Sequence, residues 1–399
     1  MNPRLALLHD YPFQRLARLF ADSEPNRDKS PIAWSIGEPK HASPQIVRDA
    51  IRDNLDELST YPSTKGLAEL RRAIANWLTQ RFHLTTETID PERHILPVNG
   101  TREALFSIAQ TVAADDSSKQ PVVIMPNPFY QIYEGAALLA GAEPYYLNTT
   151  ADTGYRMDFS DIPEDILKRT RLVYVCSPGN PAGAIMGHEQ YHQLLELAEK
   201  YDFVIASDEC YSEIYFDEDT PPVGLLQVAN DLGIKEYQRC LVFHSLSKRS
   251  NLPGLRSGFV AGDGELMKAY MQYRTYHGAT LSNMAQRASI VAWEDEDHVR
   301  ENRELYRKKF DAVLEILSQV MQVNKPDAAF YLWAQVNIND KEFARGLYEN
   351  ENVAVLPGSY LSRESGGINP GAGHVRMALV APLDECVDAA KRIRDFIER

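Results

Sequence analysis

Short apolar runs alternate with amphipathic helical patterns through most of this 399-residue chain. The apolar runs predict strands, which by residue number are 122–125, 143–147, 172–176, 203–207, 241–245 and 258–261. Helical periodicity between several of these runs predicts helices at 101–113, 188–200 and 267–273. Short strands that are apolar almost throughout and separated by helices are typical of a mostly parallel sheet covered on both faces. The pattern therefore predicts an α/β fold with helices on both sides of its main sheet.

The two ends of the chain lack this alternation. Near the start, we predict helices at 44–58, with Ser43 as the N-cap and Pro44 as the first helical residue, and at 67–80. After about residue 297 a smaller α+β unit is predicted, with elements at 299–320, 330–336, 343–349, 353–356, 375–379 and a helix from 383. We therefore predict an N-terminal arm that forms part of a small domain (1–42), a large domain (43–299) and a small C-terminal domain (300–399).

Charge and cysteine usage limit the possible partners. The chain has 42 Lys and Arg against 56 Asp and Glu, and its net charge of −14 disfavours binding to nucleic acid or an anionic membrane. No apolar run approaches the roughly 20 residues of a membrane span, and the first residues lack a secretory signal pattern. The four cysteines form no C-x-x-C pair, so we expect reduced thiols, no metal site and a cytoplasmic location.

One candidate reactive group is Lys248 in Ser245-Leu246-Ser247-Lys248, which follows the predicted strand 241–245. Sites of α/β proteins lie at the carboxyl ends of strands, and a lysine of lowered pKa can form a Schiff base with an aldehyde. The two serines, together with Arg256, would suit a phosphate group. Taken alone, this tetrad is slightly more typical of a solvated surface loop.

Three further turns also follow predicted strands or open helices. The turn Gly100-Thr101-Arg102 precedes a helix whose N-terminus can bind an anion. Asn180 lies in a Pro/Gly turn and can donate to a ligand oxygen, while Asp208 and Tyr211 could pair with a protonated ring nitrogen and a phenolic oxygen. Alone, the first is compatible with an ordinary helix cap and the second with a Pro/Gly turn, while Asp208 and Tyr211 are more typical of a helix cap and a core tyrosine. Together they supply different parts of the site for one ligand.

The order and spacing of these motifs resemble class I/II aminotransferases, fold-type I enzymes that use pyridoxal 5′-phosphate (PLP). The resemblance extends from Ser35-Ile36-Gly37-Glu38-Pro39 to Val375-Arg376-Met377. It implies Lys248, Asp208 and Tyr211 as catalytic residues, with Lys248 carrying PLP and moving a proton. The implied PLP contacts are Gly100, Thr101, Arg102, Tyr130, Asn180, Asp208, Tyr211, Ser245, Lys248, Arg256 and Tyr61. The implied substrate contacts are Gly37, Asn180 and Arg376, with Arg376 on the α-carboxylate. Because Tyr61 matches a residue that acts across a subunit interface, a homodimer is also implied.

The blocks SIGEPKH, SPGNPAGAIM and NPGAGHVRMALV are most similar to N-succinyl-LL-diaminopimelate aminotransferases of lysine biosynthesis. This implies amino-group transfer between glutamate and N-succinyl-2-amino-6-oxopimelate. An aspartate, alanine or broad-range aminotransferase, a PLP β-lyase and a non-catalytic ligand-sensing protein remain alternatives. Because both implied substrates carry a distal acidic group, we expect a second cation near the pocket, with Arg18, Lys40 and Arg363 as candidates.

Overall fold

The computed structural model describes residues 1–85, 88–113, 119–278 and 280–399. In chain order its α-helices are α1 (Pro12–Leu19), α2 (Gln45–Asp53), α3 (Ala68–Arg81), α4 (Thr101–Val112), α5 (Gln131–Ala140), α6 (Glu164–Arg169), α7 (His188–Tyr201), α8 (Leu225–Asp231), α9 (Leu246–Arg249), α10 (Gly264–His277), α11 (Asn283–Glu294), α12 (Asp297–Leu317), α13 (Asp340–Glu351) and α14 (Leu383–Ile397). Its strands are β1 (Ile32–Ala33), β2 (Ile95–Val98), β3 (Val122–Asn127), β4 (Glu143–Asn148), β5 (Thr170–Cys176), β6 (Val204–Asp208), β7 (Cys240–Ser245), β8 (Gly258–Gly262), β9 (Tyr331–Gln335), β10 (Val353–Ala354), β11 (Leu356–Pro357) and β12 (His374–Ala378). No helix among these elements is both long enough and apolar enough to cross a bilayer.

The main sheet has seven strands in the order β2-β8-β7-β6-β5-β3-β4. Strand β8 is antiparallel to both of its neighbours, and the other pairs are parallel. Both faces are covered, because Val122 and Ile124 pack in one apolar cluster while Val123 and Met125 pack in another. The prediction of a mostly parallel sheet enclosed by helices is therefore confirmed.

Two smaller sheets are formed by residues near the chain ends. Strands β11, β12 and β9 form an antiparallel sheet, and β1 pairs in parallel with β10. Helix α12 begins at Asp297, so the predicted boundary at residue 300 falls within its first turn. The limits assigned to the three parts of the chain stay a prediction.

Several element boundaries differ from the sequence-based expectation. The helix expected at 44–58 is α2, which ends at Asp53 and is followed by a 3₁₀ helix, Leu55–Ser59. Pro44 has an extended backbone (φ −56°, ψ 137°), so Pro44 occupies the N-cap position that was assigned to Ser43. Helix α11 was missed because its buried face carries Asn283, Gln286 and Ser289, which weaken the apolar periodicity.

The carboxyl ends of the central parallel strands meet at one edge of the main sheet. Strands β3, β5 and β6 end there at Asn127, Cys176 and Asp208, and β7 ends at Ser245. Such an edge is where open α/β sheets bind ligands. The fold thus brings the turns singled out in the sequence to one place.

Candidate active site

A cavity of about 620 Å³ opens at this edge of the main sheet. The predicted site residues that line it are Gly37, Thr101, Arg102, Tyr130, Asn180, Asp208, Tyr211, Ser245, Lys248, Arg256 and Arg376. Gly100 lies directly before Thr101, and its backbone faces the Arg256 guanidinium. Tyr61 does not line the cavity, and its side chain is 98% exposed.

Lys248 lies on α9, the short helix that directly follows β7. Ser245 caps this helix, because its Oγ accepts a hydrogen bond from the Ser247 backbone N–H at 3.0 Å. The Lys248 Nζ donates to the Gly37 carbonyl oxygen at 2.5 Å. Burial lowers the pKa of Lys248 to about 8, and the nearby guanidinium of Arg376 acts in the same direction. Far more of this amine is therefore neutral near pH 7 than for an ordinary lysine.

The start of α4 lies beside the Arg256 guanidinium. Gly100 has φ +86°, and a Cβ at this position would lie 2.5 Å from Nη2 of Arg256. Arg256 donates to the carbonyl oxygens of Pro253 (2.9 Å) and Asn99 (3.4 Å). It forms no ion pair with a carboxylate of the described chain. A helix N-terminus beside such a guanidinium suits a phosphate group.

Asp208, the last residue of β6, is a buried carboxylate. Its Oδ2 accepts from the Tyr133 hydroxyl at 2.6 Å, and its Oδ1 accepts from the Cys210 backbone N–H at 3.3 Å. Burial raises the pKa of Asp208, while these two hydrogen bonds oppose that rise. No cationic side chain from the described ranges pairs with it. A cationic group of a ligand would supply the missing positive charge.

Arg376 on β12 also lines the cavity. Its Nη1 donates to the Asn180 Oδ1 at 2.9 Å and its Nη2 donates to the Ser35 carbonyl oxygen at 2.8 Å. The guanidinium stacks 4.4 Å from the centre of the Tyr331 ring, and its buried Nε has no hydrogen-bond partner. Its hydrogen-bond partners in the described part of the chain are thus all uncharged. Such an arginine can bind a ligand carboxylate without first breaking an ion pair.

Two aromatic hydroxyls connect Arg376 with the rest of the site. The hydroxyls of Tyr331 and Tyr211 lie 3.0 Å apart. A Cβ on Gly37 would lie only 2.0 Å from the Tyr331 hydroxyl oxygen, so residue 37 must be glycine for the chain to pass here. The approach of this segment places the Gly37 carbonyl next to Lys248.

Arg102 begins in the predicted phosphate-binding turn, but its side chain extends along the cavity wall. Its Nε donates to the Tyr130 hydroxyl at 2.8 Å and its Nη2 donates to the Tyr11 hydroxyl at 3.2 Å. Glu38 and Glu103 also line this cavity. The wall therefore carries both a cation and carboxylates.

The three candidates for a distal cation occupy other environments. Arg363 donates to both carboxylate oxygens of buried Glu134, at 2.8 and 2.6 Å. Arg18 forms an exposed ion pair with Asp10, and Lys40 is exposed. None of the three lines the cavity. This disfavours them as distal-group ligands, and Arg363 is a structural residue.

Sequence reasoning did not single out several side chains of the site. Tyr133 reaches Asp208 from α5, and its spacing of three residues from Tyr130 was the available signal. Tyr11 and Tyr331 come from distant parts of the chain, so no local motif marks them. Cys176 and Cys210 also line the cavity, and the Cys210 Sγ lies 3.0 Å from the Thr101 Oγ1.

Comparison with known proteins places this chain among amino-group transferases. The family model described as aminotransferase class I and II matches residues 29–392. An LL-diaminopimelate aminotransferase of Desulforudis audaxviator is 30% identical over 99% of this chain and 97% of that protein. The structure of an aminotransferase from Neisseria meningitidis is 49% identical, with a TM-score of 0.95 and full coverage of both chains. That of a probable N-succinyldiaminopimelate aminotransferase from Thermus thermophilus is 25% identical, with a TM-score of 0.85 over 96% of this chain and 100% of that one.

Proposed function

Because this chain belongs to the class I and II aminotransferases, we propose that it moves an amino group between glutamate or 2-oxoglutarate and an acidic amino acid of the diaminopimelate type. The observation that carries this proposal is the environment of the Arg376 guanidinium in the cavity. Its guanidinium is buried, is held only by uncharged groups and faces the same cavity as the Lys248 amine. An α-amino acid bound through its carboxylate to Arg376 would present its α-carbon towards Lys248.

The family depends on PLP, and the residues of this cavity fit that cofactor. Arg256 and the first turn of α4 would hold the phosphate, and Asp208 would face the ring nitrogen. The buried Asp208 carboxylate and the Arg256 guanidinium both lack a countercharge in the described chain, as a site for a charged ligand requires. When bound, PLP supplies an electron sink for the negative charge that develops at the substrate α-carbon.

The proposed roles of the protein groups follow from their placement. Lys248 would carry the cofactor. Once the substrate has displaced it, its free amine, whose pKa is about 8, would take the proton from the α-carbon and deliver it to the carbon of the cofactor that had been bonded to Lys248. Arg376 would fix the carboxylate, while Asn180 and Tyr211 would bind the phenolic oxygen of PLP. Tyr130, beside Arg102, would cover the ring.

The charged side chains that line the cavity suggest which amino acid is the second substrate. Arg102 presents a guanidinium held by two phenols, so it is a better candidate for the distal carboxylate than Arg18, Lys40 or Arg363. The blocks of the sequence favour the N-succinyl derivative of LL-diaminopimelate, and amino transfer to form this compound would be a step of lysine biosynthesis. Unmodified LL-diaminopimelate is the second candidate. It is favoured by the relative's name and by Glu38 and Glu103, since carboxylates would suit its distal ammonium.

A donor panel tests this proposal. Holoenzyme would be mixed with N-succinyl-LL-diaminopimelate, LL-diaminopimelate, aspartate or alanine, each with 2-oxoglutarate, and glutamate formation measured. We expect the highest kcat/KM with one of the two diaminopimelates. Absence of glutamate with all four donors, together with pyruvate and ammonia formed from cystathionine, which has a leaving group on its β-carbon, would overturn the proposal in favour of a β-lyase.

Arg102→Gln refines the test of the distal group. It should raise KM for the diaminopimelate donor by about 10- to 100-fold and change KM for alanine by less than about twofold, because alanine has no distal carboxylate. Arg300→Gln, in an exposed ion pair with Asp297, is the matched control. An equal change for both donors would show that Arg102 does not bind the distal group. The PLP dissociation constant of the variant identifies any effect on the phosphate turn.

A homodimer is part of the proposal, with Tyr61 acting across the interface. Tyr61 is almost fully exposed in one chain, and Leu55 and Leu58 nearby are also exposed. Exposed apolar side chains of this kind mark protein interfaces, and the family resemblance implies that Tyr61 reaches the phosphate site of the partner subunit. Sedimentation should show a dimer, and Tyr61→Phe should weaken PLP binding without changing the mass of the assembly. A fully active monomer would contradict the proposal. The cytoplasmic location stays a prediction.

A further inference from the structure

Three polar side chains, His41, Asn302 and Lys309, form a hydrogen-bonded cluster that contacts the backbone of Lys248. None of the three lines the cavity, and the proposed chemistry does not use them. Lys309 of α12 is 2% exposed. Its Nζ lies 2.5 Å from the His41 Nε2 and 3.3 Å from the Val380 carbonyl oxygen. No carboxylate of the described residues forms an ion pair with Lys309. A buried ammonium whose main polar partner is one imidazole is uncommon, because buried charges are normally paired.

Asn302, on the same helix, connects His41 to the backbone that carries Lys248. Its Nδ2 lies 3.5 Å from the Lys248 carbonyl oxygen and 3.4 Å from that of Arg249. Its Oδ1 lies 2.7 Å from the His41 Nδ1 and 3.0 Å from the Asn251 Nδ2. Carbonyl oxygens only accept, so the Asn302 amide nitrogen must face α9 and its oxygen must accept.

This arrangement fixes the proton positions on His41. Because Asn302 Oδ1 can only accept, His41 Nδ1 must carry a hydrogen. In neutral His41 the Nε2 is then an acceptor, and it faces the Lys309 ammonium. The hydrogen bonds therefore run in one direction from Lys309 through His41 and Asn302 to the carbonyls of Lys248 and Arg249.

His41 also belongs to the segment 37–41, whose first residue contacts the Lys248 amine. Gly37, four residues earlier, accepts the hydrogen bond from the Lys248 Nζ. The His41 imidazole is thus linked along the chain to Gly37, which accepts from the Lys248 amine. Through Asn302 it is also linked to the backbone carbonyl of Lys248. Asn302 and Lys309 are two turns apart on α12, so they lie on the same helix face.

We propose that His41, held by Lys309 and Asn302, is a positioning residue that sets the Lys248 amine relative to the Gly37 segment. The inference rests on the proposed role of Lys248. The groups that face the cluster are the Tyr306 ring on α12 and, on α14, Glu385 and Cys386. Burial and the adjacent ammonium lower the pKa of His41 to about 4, and burial lowers the pKa of Lys309 to about 8. Between these pH values the hydrogen bonds keep the stated direction.

Lys309→Met in the PLP-loaded enzyme tests the proposal. The reporter is the pH midpoint at which the visible absorbance of bound PLP changes, measured without substrate. We expect this midpoint to move by about half a pH unit or more. We also expect kcat to fall about tenfold, with KM for the donor changed less than twofold, because the amine is displaced while Arg376 is intact. Lys308→Met, at the neighbouring exposed position of α12, is the matched control and should change neither quantity.

His41→Phe provides a second variant that keeps a ring and removes both nitrogens. It should shift the midpoint in the same direction as Lys309→Met, and it decides the question if Lys309→Met does not fold. An unchanged midpoint, together with kcat within about twofold of the parent in folded His41→Phe, would overturn the inference. The midpoint needs no substrate, so a failed donor panel would leave this result readable. An unchanged midpoint with normal turnover would remove only the role of His41.

Discussion

Two arginines of the C-terminal part of the chain, Arg363 and Arg376, differ in the charge of their hydrogen-bond partners. Arg363 is bound through two hydrogen bonds to Glu134, whose Oε1 also accepts from the Tyr146 hydroxyl. Arg376 is held by an amide oxygen and a backbone carbonyl, and its Nε lacks a partner. Both guanidiniums are largely withdrawn from solvent.

The difference separates a structural charge from one that can bind a ligand. A buried ion pair satisfies both of its members, so Arg363 holds the C-terminal segment against α5. A buried guanidinium with only uncharged partners still gains from a carboxylate that arrives from solution. The sequence offered both arginines as possible ligands of a substrate carboxylate, and the charge of their partners separates the two.

The largest effect is expected at Lys248, which shares the cavity with Arg376. Lys248→Ala should lower kcat by about 10³-fold or more, because the proton-transferring amine is removed. Borohydride reduction followed by mass spectrometry should find no PLP attached to the variant. Lys268→Ala, at an exposed position of α10, is the control. Attachment of PLP to the Lys248→Ala protein would disprove the role of this residue.

Arg376→Gln tests the ligand-binding half of the comparison. We expect kcat/KM to fall roughly 100-fold or more, because a charge-assisted pair of hydrogen bonds to the substrate is lost. The melting temperature should change little, since no internal ion pair is broken. A variant with near-normal kcat/KM but a greatly lowered melting temperature would reverse the assignment.

Arg363→Gln should show the opposite profile. Removing the guanidinium takes the arginine partner from buried Glu134 and leaves, among the described residues, only His9 Nε2, 3.9 Å from its Oε1, as an ion-pair partner. This should lower the free energy of unfolding by about 3–5 kcal/mol. Activity per folded molecule should stay close to the parent value. Adding Glu134→Gln should recover part of the lost stability, and denaturant unfolding of both single variants and the double variant measures this coupling. Equal losses from the two single changes, summed in the double variant, would exclude the pair as a structural unit.

The smallest effect concerns pH and the amine of Lys248. Only the neutral amine attacks the PLP aldehyde, so capture of PLP by the apoprotein should quicken about tenfold per pH unit below 8. The rate should level off above this pH, because the pKa of Lys248 is lowered to about 8. Stopped-flow absorbance gives the profile. Continued acceleration up to pH 10 would mean that burial does not perturb this lysine.

The fold was predictable because its central strands are buried on both faces and therefore read as continuous apolar runs. Strand β2, with the sequence Ile95-Leu96-Pro97-Val98, was missed since a proline interrupts it and it is only four residues long. The order of the turns around Lys248, through the family resemblance that it carries, predicted eleven of the residues that line the cavity. The partner of Arg363 could not be predicted, because Glu134 is more than two hundred residues away and carries no motif.

The unpaired charges around the cavity have a consequence for the life of the protein in a cell. A ligand that binds only the folded chain stabilises it, by about 2.7 kcal/mol when its concentration is 100 times Kd. PLP would supply the phosphate that Arg256 lacks and the ring cation that Asp208 lacks. Chains synthesised when PLP is scarce should therefore unfold and be degraded faster. The supply of PLP should then set the abundance of this enzyme as well as its activity.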